Sequence, residues 1–131
     1  MRVIALFLLL AVFFACDKPV IEKQYNYFAL ELHHCITTNI QGADVNICMD
    51  SVHDSRCPLN VECIWAGEAT VNFSLQTHGL KQSFKLSTFN NPPYFRNDTT
   101  ILGYKIKLLS VTPYPGSNSQ DPYKAELSIT P

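Results

Sequence analysis

Apolar and polar residues alternate with a period of two along most of the chain. The alternation is clearest at Ala69, Val71, Phe73 and Leu75, interleaved with Thr70, Asn72, Ser74 and Gln76. Successive side chains of a strand point to opposite faces, so this run predicts a strand with one face on a core and the other in water. Val45, Ile47 and Met49 alternate with Asn46, Cys48 and Asp50 in the same way. Leu80, Phe84 and Leu86 alternate with Lys81, Ser83 and Lys85, with Gln82 interrupting the apolar face. Tyr104, Ile106 and Leu108 alternate with Lys105 and Lys107, and Tyr123, Ala125, Leu127 and Ile129 with Lys124, Glu126 and Ser128. Tyr25–Leu32 is a further candidate strand. Turn signals separate these runs at Gln41-Gly42, His78-Gly79, Asn90-Asn91-Pro92-Pro93 and Pro113-Tyr114-Pro115-Gly116. His78-Gly79 is short enough to predict a tight hairpin. No segment carries the helical period. The pattern predicts an all-β fold over residues 24–131, an antiparallel, immunoglobulin-like β-sandwich of about seven strands.

The N-terminus breaks this pattern. Arg2 precedes thirteen consecutive apolar residues, Val3 to Ala15, and Asp17 and Lys18 end the run. A positive residue followed by an apolar stretch of this length reads as a signal sequence, residues 1–15. It is shorter than the roughly 20 residues a spanning helix needs. Ala15 followed by Cys16 resembles the lipobox of bacterial lipoproteins, in which the Cys is acylated and opens the mature chain; Phe13 stands where the usual pattern has Leu. General signal cleavage asks for small residues at both −3 and −1, which Phe13 does not provide. The resemblance implies lipidation at Cys16, attachment to the membrane through the N-terminal lipid, and a place in the bacterial cell envelope, the outer membrane favoured over the inner. Two or more acyl chains hold a protein on a bilayer where one alone binds marginally. Residues 16–23 then form a short tether, at most ~28 Å when fully extended.

Charge and size narrow the function classes. Ten basic and eleven acidic residues become nine and eleven once Arg2 is removed with the signal. That balance offers no electrostatic footprint for nucleic acid. A chain of 131 residues excludes a multidomain enzyme or a full dinucleotide-binding unit. Of five cysteines, Cys16 is taken by lipid, which leaves Cys35, Cys48, Cys57 and Cys63. An even set in an exported chain predicts two disulfides with three possible connectivities. Cys57–Cys63, closing a short loop, and Cys35–Cys48, joining neighbouring strands, are the favoured pairs.

The most distinctive segment is DSRCPLNVECIWAGEATVNF, from Asp54 to Phe73. It resembles a motif of small exported bacterial proteins, often lipoproteins, of approximate form DSRCPxxVxCxWxGxA. The stretches Tyr104 to Pro115 and Tyr123 to Leu127 extend the resemblance over most of the mature chain; the Cys35/Cys48 pair lies outside it. No activity comes with that family. Residue by residue, the motif predicts architecture. Cys57 and Cys63 would pin a loop stiffened by Pro58. Trp65 is expected on the core side near the sulfurs. Gly67 would let the chain turn or bulge into the next strand. Arg56 would donate a forked pair of bonds to Asp54 or to loop carbonyls.

Candidate chemistry is sparse. His53 lies near Cys57 and Cys63, and His33-His34 precede Cys35, so a zinc or copper site is the sharpest alternative. Oxidised cysteines are poor ligands, however, and adjacent histidines on a strand point to opposite faces. No metal or cofactor is expected; an envelope metal-binding or sensing protein remains the alternative. Ser51, His53, Asp54 and Ser55 crowd one segment, but a triad needs groups converging from different elements. An enzyme is not expected. The proline-aromatic segments supply the candidate binding loops, with Tyr94, Phe95 and Arg96 in one and Tyr114 in the other. Rigid rings lose little entropy on binding; alternatively these rings fold back and plug the ends of the sandwich. The expectation is a non-catalytic binding or accessory module close to the membrane, with a protein partner in the envelope.

Overall fold

The computed structural model describes residues 25–131, so the signal sequence, Cys16 and the tether lie outside the described residues. Eight strands follow in order: β1 (Asn26–Glu31), β2 (Cys35–Ile40), β3 (Ala43–Asp54), β4 (Ala69–Thr77), β5 (Leu80–Ser87), β6 (Asp98–Ile101), β7 (Tyr104–Thr112) and β8 (Lys124–Thr130). They form two four-stranded sheets, β1-β8-β7-β6 and β2-β3-β4-β5. Every strand pairing is antiparallel. The expected all-β sandwich is present, with eight strands rather than seven. Among the described residues the chain changes sheets only between β1 and β2 and between β5 and β6. The result is a pair of meanders, an order distinct from the interleaved strands of the immunoglobulin domain.

The period-two runs fill the space between the sheets. Val45, Ile47 and Met49 from β3 and Val71, Phe73 and Leu75 from β4 are fully buried. Ile106, Leu127 and Ile129 face them from β7 and β8, equally buried. Phe73 stacks on Phe84 of the neighbouring strand, ring centroids 5.4 Å apart. Each such side chain contributes about 1.5–3 kcal/mol through burial, so these alternating positions carry most of the driving force. Lys105 and Lys107 point outward, as their phase requires.

Three features depart from the simple alternation. β2 and β6 are strands that the pattern does not announce, because Thr37, Thr38 and Asn39 break the apolar face of one and the other has four residues. Leu80 is exposed although it shares a phase with Leu86; it sits at a hairpin tip on an edge strand, beyond the cover of the opposite sheet. Register shifts between Met49 and Ser51 and between Leu108 and Ser110 insert an extra residue into β3 and β7, and after the second it is Val111 rather than Ser110 that takes the next inward position.

The two ends of the sandwich differ. At one end lie short hairpins at Gln41-Gly42, His78-Gly79 and Leu102-Gly103. His78 and Gly79 both have positive φ, 50° and 75°, the requirement of the tight hairpin turn expected there. At the other end lie the long connections 55–68, 88–97 and 113–123. Asn26 pairs with Ile129, and Lys105 with Thr130, so the chain enters β1 at the hairpin end. The long loops are carried at the end opposite to that entry.

Candidate functional site

Two of the three long loops are tied to each other, and the third is held by the strands beside it. Ser55 N donates to the Glu68 carbonyl (2.8 Å) and Cys57 N to that of Ala66 (2.8 Å), so loop 55–68 folds back on itself as a narrow ribbon. Gly67 makes this closure possible. Its φ is +67°, and a Cβ built there would lie 1.9 Å from the Ser55 carbonyl oxygen. The Cys57–Cys63 disulfide closes the tip, with Cα atoms 5.9 Å apart. Leu59 N donates to the Pro115 carbonyl (2.9 Å), fastening the tip to loop 113–123. Loop 88–97 is held from β4: Thr88 N donates to the Ala69 carbonyl, and Ala69 N to Thr88 Oγ1, both 2.9 Å.

Arg56 is the central brace. Its guanidinium donates to both carboxylate oxygens of Asp54, Nε to Oδ1 at 2.8 Å and Nη2 to Oδ2 at 2.6 Å. It also donates to the carbonyls of Val111 (2.8 Å) and Pro113 (3.0 Å). The Tyr114 ring lies over it, 4.4 Å from centroid to guanidinium carbon. The forked contact with Asp54 was expected; the carbonyls belong to β7 and the loop after it rather than to the Cys loop. Burial pushes the Asp54 carboxyl up, but hydrogen bonds from Arg56, its positive charge and the Tyr123 hydroxyl outweigh that and hold it below the usual carboxylate value. Arg56 is raised, chiefly by its bond to Asp54. Burial and then the Asp54 charge push the Tyr123 hydroxyl up. All three groups are therefore fixed in their ordinary ionic states at neutral pH, which suits a structural joint.

The braced loops present apolar side chains to water. Ile64 is 93% exposed, Trp65 81% and Tyr94 80%. The expectation that Trp65 packs on the core side is overturned. The alternating run starts only at Ala69, and the tip of the 55–68 ribbon, Val61 to Trp65 included, lies outside the sandwich. Trp65, Glu68, Phe89 and Phe95, with Ala66 and Gly67, line a concavity of about 340 Å³. Phe89 and Phe95 meet edge to face there, centroids 6.0 Å apart. A second concavity of about 200 Å³ lies on the other side of Phe95, lined among others by Tyr94, Arg96 and Lys85.

The four candidate binding-loop residues part company. Tyr94 and Arg96 are exposed, Phe95 is half-buried between the two concavities, and Tyr114 is partly covered by its contact with Arg56. Trp65, Phe89 and Glu68 belong to the same surface and were not singled out as site residues. One signal could have found the first: Ile64-Trp65 precedes Ala66-Gly67 and lies outside any alternating run, where apolar residues have no core to enter.

Both favoured disulfides are formed, Cys35–Cys48 across the β2–β3 pair with Cα atoms 4.0 Å apart and Cys57–Cys63 in the loop. They fit an extracytoplasmic protein. The pairing removes all four sulfurs from the ligand set around His53, which is exposed on β3 opposite Thr70. His33 and His34 occupy the turn after β1, His33 with a φ of 65°. Among the described residues, no three or more His, Cys, Asp or Glu side chains gather where they could hold one metal ion. No protein-family description, curated protein or solved structure matches the chain.

Proposed function

We propose that the protein is a non-catalytic binding module of the bacterial cell envelope, anchored through lipid on Cys16 and displaying its long-loop end to an envelope ligand. The observation that carries this reading is the exposure of Ile64, Trp65 and Tyr94 on loops that are otherwise pinned by a disulfide, a buried ion pair and backbone hydrogen bonds. Large apolar side chains held rigidly in water cost solvation and gain nothing for folding, and clusters of them mark interaction surfaces. Rigid loops lose little entropy when a ligand settles on them. The tether would join β1 at the hairpin end, so the loops face away from the anchor. The likeness of Ala15-Cys16 to a lipobox and of Asp54–Ala69 to the motif of exported lipoproteins supports the same location.

Two measurements test it. Intact mass of membrane-extracted protein should carry a diacyl or triacyl adduct that Cys16→Ser abolishes; an unmodified mature chain overturns the anchor. A photo-reactive residue in place of Ile64, activated in the intact envelope, should give a discrete adduct by mass, absent when the same residue replaces Lys81 at the hairpin end. No adduct at Ile64, or the same products from both positions, overturns the binding surface.

A further inference from the structure

We propose that the concavity between Trp65, Phe89 and Phe95 is a site for a small alkylated ammonium cation, with the Glu68 carboxylate as its counter-charge. The inference rests on reading this end as a binding surface and names the ligand class. Three aromatic side chains converge on one recess, and the face of an aromatic ring attracts a cation whose hydration is weak, alkylated ammonium above all.

The charge of the recess selects the sign of the ligand. Glu68 makes no ion pair with any described residue. Its position is nonetheless fixed: Ser87 Oγ donates to Glu68 Oε2 at 2.7 Å, and Ser87 Oγ accepts from Phe89 N at 3.0 Å. Ser87 is itself buried, so this chain ties the carboxylate to the backbone of one of the rings. Arg56, the basic residue on the same loop, is already bound to Asp54. Arg96 and Lys85 line the neighbouring concavity instead. An anion in the recess would meet Glu68 with no compensating cation, and a neutral apolar guest would strip water from that carboxylate without replacing it. A bare metal ion would find one carboxylate and three rings, too few oxygen ligands to replace its water.

The size of the recess selects the scale of the ligand. About 340 Å³ lies at the lower end of the volumes of small-molecule pockets. The backbone that carries these residues is held by the ribbon of loop 55–68 and by the Thr88–Ala69 bonds.

Trp65 is the sole tryptophan of the chain, so its fluorescence reports this site alone. The mature protein in a maltoside detergent is titrated with choline, with tetramethylammonium and with 3,3-dimethylbutan-1-ol, the uncharged isostere of choline. The cations should give a saturable change in Trp65 emission, with the isostere weaker by about ten-fold or more. Glu68→Gln should weaken choline several-fold and bind the isostere no more weakly than before, because the carboxylate it would have desolvated is gone, with the thermal transition unmoved. Phe89→Ala should weaken both cations. Equal affinity for choline and its isostere, no effect of Glu68→Gln, or no saturable change overturns the assignment. If the Ile64 photo-adduct still forms in that case, the binding surface stands and only the ligand class falls; if neither is seen, both fall.

Discussion

Arg56 Nη1 lies 2.8 Å from the carbonyl oxygen of Val111, a residue 55 positions away and on the opposite sheet. Because the same guanidinium holds Asp54 at the end of β3, one side chain clamps the two sheets together at the loop end. The two side chains are only 8% and 4% exposed, so removing one leaves the other charge buried. Arg56→Ala is expected to cost about 3–5 kcal/mol. Arg56→Lys keeps the charge but has no planar fork to serve Asp54 and two carbonyls at once, and should recover only part of the loss. Urea denaturation midpoints of the three proteins check the order.

The same pair makes stability depend on acid. The folded-state value of Asp54 is lowered from 3.8, so its contribution is complete above that value and is lost as the pH falls through the folded-state value below it. The wild-type protein should therefore lose stability as pH drops below about 4, and Asp54→Asn, less stable at neutral pH, should show a shallower acid limb. Denaturation midpoints between pH 2 and 7 measure the two slopes; parallel curves would remove Asp54 from the account.

Gly67 offers a sharper steric test. An added methyl would sit 1.9 Å from the Ser55 carbonyl oxygen, which is backbone and cannot swing aside. Gly42 also has positive φ, yet nothing lies within 4 Å of its position. Gly42→Ala should cost only the left-handed backbone penalty, about 1 kcal/mol. Gly67→Ala should cost clearly more and raise hydrogen exchange at the Ser55 and Cys57 amides, which close the ribbon.

The disulfides should separate into a global and a local staple. Cys35 and Cys48 are 13 residues apart, Cys57 and Cys63 six. By loop-closure entropy the first restrains the unfolded chain more, worth about 3 kcal/mol against about 2 for the second. The Cys35→Ser, Cys48→Ser pair should lower the midpoint of the whole domain further. The Cys57→Ser, Cys63→Ser pair should loosen the tip around Leu59, seen as faster exchange there, with the sheets intact.

Much of this architecture was legible because burial on one face of a strand writes itself into the sequence with period two. The runs in β3, β4, β7 and β8 became the core, and the turn chemistry of His78-Gly79 became a hairpin. β2 and β6 were less legible because an edge strand is half-covered and needs no apolar face. The Arg56–Asp54 contact was local enough to foresee; its reach to Val111 and Pro113 depends on which sheets meet, which no local pattern encodes. The recess at Glu68 was hidden for the same reason, since Trp65, Glu68, Phe89 and Phe95 come from two loops joined only by the fold.

Trp65 carries the test of where local inference failed. A tryptophan next to a disulfide invites a core assignment, and a core Trp→Ala change costs about 3–5 kcal/mol. At 81% exposure the same change should alter stability by no more than about 0.5 kcal/mol. Emission from folded protein should already lie near that of free tryptophan, be readily quenched by acrylamide, and shift little on unfolding. A blue-shifted, protected emission together with a large destabilisation in Trp65→Ala would return the ring to the interior and dissolve the recess built around it. Preserved folding combined with loss of the Ile64 photo-adduct would assign the side chain to binding rather than to the core.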